Sequence, residues 1–182
     1  LMFQKESHAI ALFPGGFGTH DEGFEIMTLV QTGKSDPKPI VCLQAPGCDY
    51  WDHWNSFITD QLLKRRLINA EDLALFTIVD NVEDAVTEIR TFYRRYHSLR
   101  FVGRQLAIRL KTPLSAAQVE EVQQQFSDML TEGTFEQRPS LPEEIDEPGL
   151  KDLARLTFSF NRRNAGRLRQ LINHLNQLPS TA

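Results

Sequence analysis

The stretch "HAIALFPGGFGTHDEGFEIMTLVQTG", residues 8–33, contains the pattern from which the fold of this chain is predicted. Its first six residues are apolar apart from one histidine, which is typical of a short buried strand. The following Pro-Gly-Gly predicts a tight loop, and apolar residues recur at helical spacing from Thr19 until Gly33 ends the segment. We therefore predict a strand, a glycine-rich loop and a helix, in that order.

The same plan occurs twice more along the chain. Residues 38–44 and 74–80 are apolar runs that predict strands, and each is followed by an amphipathic pattern that predicts a helix, over residues 50–66 and 81–93. Three alternations of strand and helix are typical of a parallel sheet with right-handed crossovers. The predicted fold class of this half is α/β, the C-terminal part of a Rossmann-like doubly wound parallel sheet.

The pattern changes after about residue 98. Residues 104–110 and 154–160 alternate between apolar and polar side chains, which predicts strands that each have one face in water. Each of these strands is followed by a predicted helix, and the acidic, proline-containing residues 139–148 read as a linker between the two pairs. Strand, helix, strand and helix predict a small α+β module, for which a ferredoxin-like arrangement is one candidate.

We therefore predict two domains, a partial Rossmann-like domain over residues 1–97 and an accessory module over residues 98–182.

The composition limits the kinds of partner that the chain is expected to bind. With a net charge of -4 over 182 residues, the chain has no general attraction for nucleic acid. No apolar run reaches the roughly 20 residues that span a membrane. Cys42 and Cys48 are too few for a disulfide framework, and two reduced thiols predict a cytoplasmic protein.

The glycine loop is the first candidate site. A helix start presents unpaired backbone N–H groups and the positive end of the helix dipole, and glycines allow a phosphate to approach that backbone closely. The spacing differs from the P-loop, which needs Lys followed by Ser or Thr, and from the dinucleotide fingerprint G-x-G-x-x-G. The pattern therefore predicts a phosphate site of another kind.

Two interpretations of Glu22 remain open. Residues 19–22, "THDE", fit the capping box S/T-x-x-E, in which Thr19 would cap the helix and Glu22 would bond back to the N–H of Thr19. The same spacing places a carboxylate within one turn of the phosphate loop, where a phosphorylated sugar would lie. The two roles are compatible, and the sequence does not choose between them.

Residues 14–22, "PGGFGTHDE", match the PGGxGTxxE signature of the Lonely Guy-type phosphoribohydrolases, a family often labelled lysine-decarboxylase-like. The flanking residues resemble that family as well, so that the resemblance covers roughly residues 1–97. It implies hydrolysis of the N-glycosidic bond of nucleoside 5'-monophosphates, of the AMP or cytokinin-riboside-monophosphate type. The products would be a free base and ribose 5-phosphate, with no metal and no other cofactor.

The resemblance also implies roles for individual residues. Glu22 would be the catalytic carboxylate, and the 5'-phosphate would be bound by the loop residues Gly15, Gly16, Phe17, Gly18 and Thr19. A homo-oligomer is expected, because family members typically build the site at a dimer interface. The family's upstream Arg-Lys pair aligns before Leu1, so we expect this chain to be catalytically incomplete.

A second function class stays open beside the enzyme. The same loop could hold a nucleotide or a phosphorylated cofactor without cleaving it. The basic residues Arg155, Arg162, Arg163, Arg167 and Arg169 have no acidic residue among them; a solvated face is the default interpretation and an anion site is the alternative. A metal role for His53 is disfavoured, because its aromatic neighbours indicate a helix that packs on the sheet.

Overall fold

The computed structural model describes residues 6–144 and 147–179. These residues form two compact units: the described residues up to Thr91 together with Arg162–Gln170, and Phe92–Asn161 together with the residues from Leu171 onward. The units differ from the two predicted domains in that a short segment from the C-terminal half belongs to the first. The predicted domains, residues 1–97 and 98–182, stay a prediction.

The first unit is built on a parallel sheet of three strands in the order β1-β2-β3. The strands are β1 (Ile10–Leu12), β2 (Ile40–Leu43) and β3 (Thr77–Val79). Three helices alternate with them: α1 (Phe17–Gln31), α2 (Tyr50–Phe57) and α3 (Val82–Phe92). Ile10 lies opposite Ile40, and Val41 lies opposite Thr77. This order confirms the predicted α/β class with parallel pairing.

The helices cover both faces of this sheet. Residues of α1 and α2, among them Ile26 and Trp51, form one core with Ile40 and Cys42 of β2. On the other face Val41 and Leu43 pack against Ala85 of α3. Because successive side chains of β2 point to opposite faces, all four residues of the strand are buried. The doubly wound arrangement is therefore confirmed.

Two local boundaries differ from those predicted. The predicted helix over residues 50–66 is α2 continued by a π-helical turn, Ile58–Leu63. The strand predicted over residues 74–80 is shorter, because a 3₁₀ helix, Ala70–Leu75, occupies its beginning. A capping box between Asn69 and Asp72 stabilises the start of that 3₁₀ helix.

The second unit contains a four-stranded antiparallel sheet in the order β4-β5-β7-β6. The strands are β4 (Tyr96–Val102), β5 (Gln105–Leu110), β6 (Glu136–Arg138) and β7 (Ala154–Ser159). The helices of the C-terminal half are α4 (Ala116–Phe126), capped by Ser115, and α5 (Ala165–Gln177). The α+β prediction is confirmed, but β4 and β6 were missed. The element order is β-β-α-β-β-α, which corrects the ferredoxin-like candidate β-α-β-β-α-β.

The prediction that β5 and β7 each have one face in water is wrong. Arg109 and Arg155 are buried, with 4% and 0% of their surfaces exposed. The reason is the segment predicted as an open linker, which folds as two 3₁₀ turns, Pro142–Glu144 and Pro148–Leu150, and buries the side chain of Glu144. The alternating polar residues of both strands therefore face protein.

Candidate functional site

The glycine loop joins the end of β1 to the start of α1. Gly16 is the N-cap of α1, and no side chain caps the helix there. The N–H groups of Thr19 and His20 donate to the carbonyl of Gly16 at 3.1 and 3.4 Å. The N–H groups of Phe17 and Gly18 have no acceptor within the helix, as in the first turn of any helix. This helix start therefore combines open backbone donors with the positive end of the dipole.

The predicted capping box is wrong, because the N-cap of the helix is Gly16, three residues before Thr19. Thr19 is the third residue of α1 and Glu22 the sixth, so neither side chain occupies its expected capping position. The Thr19 hydroxyl instead lies over Gly15, where an added methyl group would be 2.2 Å from Oγ1. Gly15 is thus a position of close approach, which gives a physical reason for glycine there.

A cavity of about 360 Å³ lies beside this loop. It is lined by Gly18, Thr19 and Glu22, by the residues of β1 and by the two residues that follow β1, Phe13 and Pro14. Three of the residues predicted for the site are therefore brought together around one space. Gly15, Gly16 and Phe17 belong to the same loop but do not line this cavity, and the Phe17 side chain is 96% exposed.

Tyr50 at the start of α2 holds the loop from the other side, and the sequence analysis missed this contact. Its hydroxyl donates to the carbonyl of Gly15 at 2.5 Å and lies 2.8 Å from His20 Nε2. The His20 ring stacks on the Tyr50 ring with centroids 5.8 Å apart. Because the hydroxyl has one proton, which it gives to Gly15, His20 must donate through Nε2–H. The signal in the sequence was the aromatic cluster at residues 50–54.

The Tyr50 contact also orients the loop backbone. In a trans peptide the carbonyl of one residue and the N–H of the next point in opposite directions. Tying the Gly15 carbonyl to Tyr50 therefore turns the Gly16 N–H away from α2. This arrangement can present one more backbone donor to an anion at the loop.

The polar residues at the carboxyl ends of β2 and β3 form a connected group that the sequence analysis also missed. Gln44 is buried, accepts a hydrogen bond from the Trp51 N–H at 2.7 Å, and donates to Asp52 at 2.9 Å and Asp80 at 3.1 Å. These hydrogen bonds connect the end of β2 to α2, through Trp51 and Asp52, and to the end of β3, through Asp80. Gln44 therefore fixes the position of two carboxylates at this edge of the sheet.

Within the residues that the structure describes, no group of His, Cys, Asp and Glu could hold a metal ion. His53 is exposed and lies 3.0 Å from Asp49, one helical turn away. Burial raises the pKa of the Cys42 thiol to about 12, so Cys42 is unsuited to act as a nucleophile. None of the helices in the described ranges is long and apolar enough to cross a membrane.

The basic residues of the C-terminal half do not form one surface. Arg155 and Arg169 are buried and paired, with Glu144 at 2.8 Å and with Glu88 at 2.7 Å respectively. Arg169 also donates to the carbonyl of Lys38 at 2.8 Å. The interpretation of all five arginines as a solvated face is therefore wrong for these two.

Comparison with known sequence families places the first half of the chain in context. Residues 1–89 match the family described as "Possible lysine decarboxylase". The matched region includes β1, the glycine loop, α1 and the strands β2 and β3. A search of curated proteins found no significant match to the chain.

Proposed function

Because residues 1–89 of this chain belong to the family described as possible lysine decarboxylases, we propose that they bind a nucleoside 5'-monophosphate and hydrolyse its N-glycosidic bond. The observation that carries the proposal is the 360 Å³ cavity, since it places Glu22 beside the start of α1. The family match and the doubly wound sheet support a phosphoribohydrolase type of function. The substrate and the residue roles are our proposal.

The loop would bind the phosphate. The N–H groups of Phe17 and Gly18 and the helix dipole favour a dianion, and Gly18 and Thr19 line the cavity beside them. Binding the phosphate, which takes no part in the reaction, fixes the ribose near Glu22. Gly15 and Gly16 contribute backbone that a ligand can approach, and Phe17 contributes its N–H rather than its ring.

Glu22 would act on the sugar. Cleavage of the bond between C1' and the base nitrogen builds positive charge on the ribose ring, and an ionised carboxylate stabilises that charge. Water adds its oxygen to C1', and its proton leaves to the departing base, so that the products are a free base and ribose 5-phosphate. Glu22 is exposed at the cavity, where an incoming substrate can reach it.

Lysine decarboxylation is the activity that the family description names, and the site argues against it. That reaction ordinarily uses pyridoxal phosphate bound to a lysine as a Schiff base. The described residues that line the 360 Å³ cavity include no lysine. Lys38 is buried and donates to the carbonyl of Ser7 at 3.0 Å, away from the glycine loop.

The test is whether the 182-residue chain releases adenine from AMP. Chromatography measures the adenine that is released. We expect Glu22→Gln to lower adenine release at least about 100-fold and to change AMP affinity by less than about threefold, because the lost charge acts mainly in the transition state. Asp21→Asn removes the same charge from the neighbouring position, which does not line the cavity, and should keep most of the activity.

Two results would contradict the proposal. Unchanged adenine release by Glu22→Gln would remove Glu22 from the catalytic role. AMP that binds and stays intact at saturating protein would exclude hydrolysis by this chain and favour nucleotide binding without cleavage. Residues 1–5, next to which the family's Arg-Lys pair aligns, lie outside the described residues. A homo-oligomer and a cytoplasmic location stay predictions.

A further inference from the structure

A second cavity, of about 450 Å³, lies at the carboxyl ends of the three strands of the first unit. Its wall is largely apolar and includes Phe13, Pro14, Leu43, Pro46 and Cys48, with Asp80 among the polar residues. Phe13 and Pro14 also line the 360 Å³ cavity, so the two spaces meet at the glycine loop. In open parallel sheets, ligands bind at this edge.

Asp80 is the acceptor of this cavity that has capacity for a ligand. The amide of Gln44 is used by its three hydrogen bonds within the protein. Asn81 caps α3, because it accepts from the Asp84 N–H at 2.7 Å and donates to the Asp84 carboxylate at 2.8 Å. Asp80 is exposed and receives a hydrogen bond from Gln44 at 3.1 Å, while a carboxylate has about four acceptor positions.

Resting on the proposed function, we propose that this cavity is the nucleobase subsite and that Asp80 selects bases that carry an exocyclic amino group. A carboxylate only accepts hydrogen bonds, so it pairs with an amino group and repels the carbonyl oxygen of an oxo base. Leu43 and Pro46 offer apolar contact for a flat ring. Phe13, 59% exposed at the junction of the two cavities, can stack on it.

The charges of the two cavities also fix the direction of the ligand. The start of α1 favours an anion, whereas Asp80 and Asp52, both held by Gln44, make the other end negative. A nucleoside monophosphate has its phosphate at one end and its base at the other. It therefore fits in one orientation, with the phosphate at the loop and the base beside Asp80.

The experiment compares nucleotides that carry an amino or an oxo group at the same ring position, a change that also adds a proton to the neighbouring ring nitrogen of the oxo base. Dissociation constants are measured on the 182-residue chain carrying Glu22→Gln, which by the proposed function binds AMP but cleaves it at least about 100-fold more slowly, from quenching of Trp51 and Trp54 for AMP and IMP, for CMP and UMP, and for ribose 5-phosphate. Chromatography after each titration checks that the nucleotide is intact. We expect the amino member of each pair to bind about tenfold more tightly, the effect of one charge-assisted hydrogen bond.

Asp80→Asn should reduce both preferences to less than about threefold, because an amide can accept from an amino group or donate to a carbonyl. It should leave ribose 5-phosphate affinity unchanged. Glu83→Gln, which removes an exposed charge three residues away, is the control and should keep the preferences. Equal binding of the two members of a pair when Asp80 is present, or a preference that survives in Asp80→Asn, overturns the subsite. Failure of ribose 5-phosphate to bind overturns the proposed function, and with it this subsite.

Discussion

The surroundings of charged groups differ between the glycine loop of the first unit and the arginine cluster of the second. This cluster consists of Arg100, Arg109, Arg155, Glu144 and Glu147. At the loop, Gly18, Thr19 and Glu22 line a cavity. On β5 and β7, Arg109 and Arg155 lie directly opposite each other, and Glu144 lies between them. The difference teaches that residue type alone does not indicate a binding site, because the two arginines are enclosed by protein whereas Glu22 borders a cavity.

No space for an external anion is needed at this cluster, because Glu144 and Glu147 of the same chain supply the carboxylates that pair with the arginines. Glu144 Oε1 lies 2.6 Å from Arg109 Nη2, and Glu144 Oε2 accepts from Arg155 Nε at 2.8 Å and from the Leu141 N–H at 3.0 Å. Glu147 joins Arg109 to Arg100, with distances of 2.7 and 2.8 Å. Like charges opposite each other destabilise a sheet, and the carboxylate between them offsets that repulsion.

The largest expected effect is on the arginine cluster. Glu144→Gln should lower the free energy of unfolding by about 3–5 kcal/mol, because it leaves the buried guanidinium of Arg155 without the carboxylate that it pairs with and leaves Arg109 with Glu147 alone. Glu143→Gln, its exposed neighbour, is the matched control and should change the free energy of unfolding by less than about 0.5 kcal/mol. Denaturant unfolding measures both. Equal stability of the two variants would show that the cluster does not depend on Glu144.

The second prediction concerns the loss of the Glu144 ion pairs when acid pH protonates the carboxylate. Burial by itself raises the pKa of Glu144, but hydrogen bonds from Arg155, the Leu141 N–H and Arg109 outweigh it and lower the pKa from 4.5 to about 2. Because the folded pKa is depressed, the stabilisation is complete above about pH 4.5 and is lost as the pH falls towards 2.

The measurement is the free energy of unfolding of the unchanged chain and of Glu144→Gln between pH 7 and pH 2.5. The difference between the two should shrink by on the order of 3 kcal/mol over the acidic part of this range. A difference that stays constant with pH would contradict the assigned pKa.

The smallest expected effect concerns the open site and tests how firmly its backbone is held. Tyr50→Phe removes the hydroxyl that binds the Gly15 carbonyl, and we expect phosphate and AMP to bind about fivefold more weakly, the value of one hydrogen bond. Tyr93→Phe in the second unit is the control for loss of a phenol. Unfolding measurements separate a local effect from general destabilisation; unchanged affinity in Tyr50→Phe would show that the loop keeps its shape without that contact.

The local pattern predicted much of the fold. The apolar run that became β2 is buried on both faces, and such runs are readable from the sequence, whereas in β1 Ile10 and Leu12 are buried and Ala11 is exposed. The cap of α4 was readable for a similar reason, since Ser115 and Gln118 are three residues apart and form their capping box locally. At α1 the same kind of pattern failed, because residues 19–22 fit a capping box and yet Gly16 begins the helix.

Contacts between distant residues were not readable. Tyr50 reaches Gly15 across 35 residues, and Glu144 reaches Arg109 across 35 residues. Alternation along β5 and β7 indicates only that two faces differ, and a second layer of chain can cover the polar face. The arginines were therefore expected in water and are in fact buried.

The sequence by itself determined the alternation of strands and helices, the glycine loop between β1 and α1, and the family of residues 1–89, because these depend on residues that are neighbours along the chain. The tertiary structure alone decided which charged side chains are enclosed by protein and which border a cavity. Glu144 closes the space between Arg109 and Arg155, whereas a cavity remains beside Glu22. The physical reason is that the energy of a charge depends on its burial and on its partners in space, and neither is encoded in the local pattern.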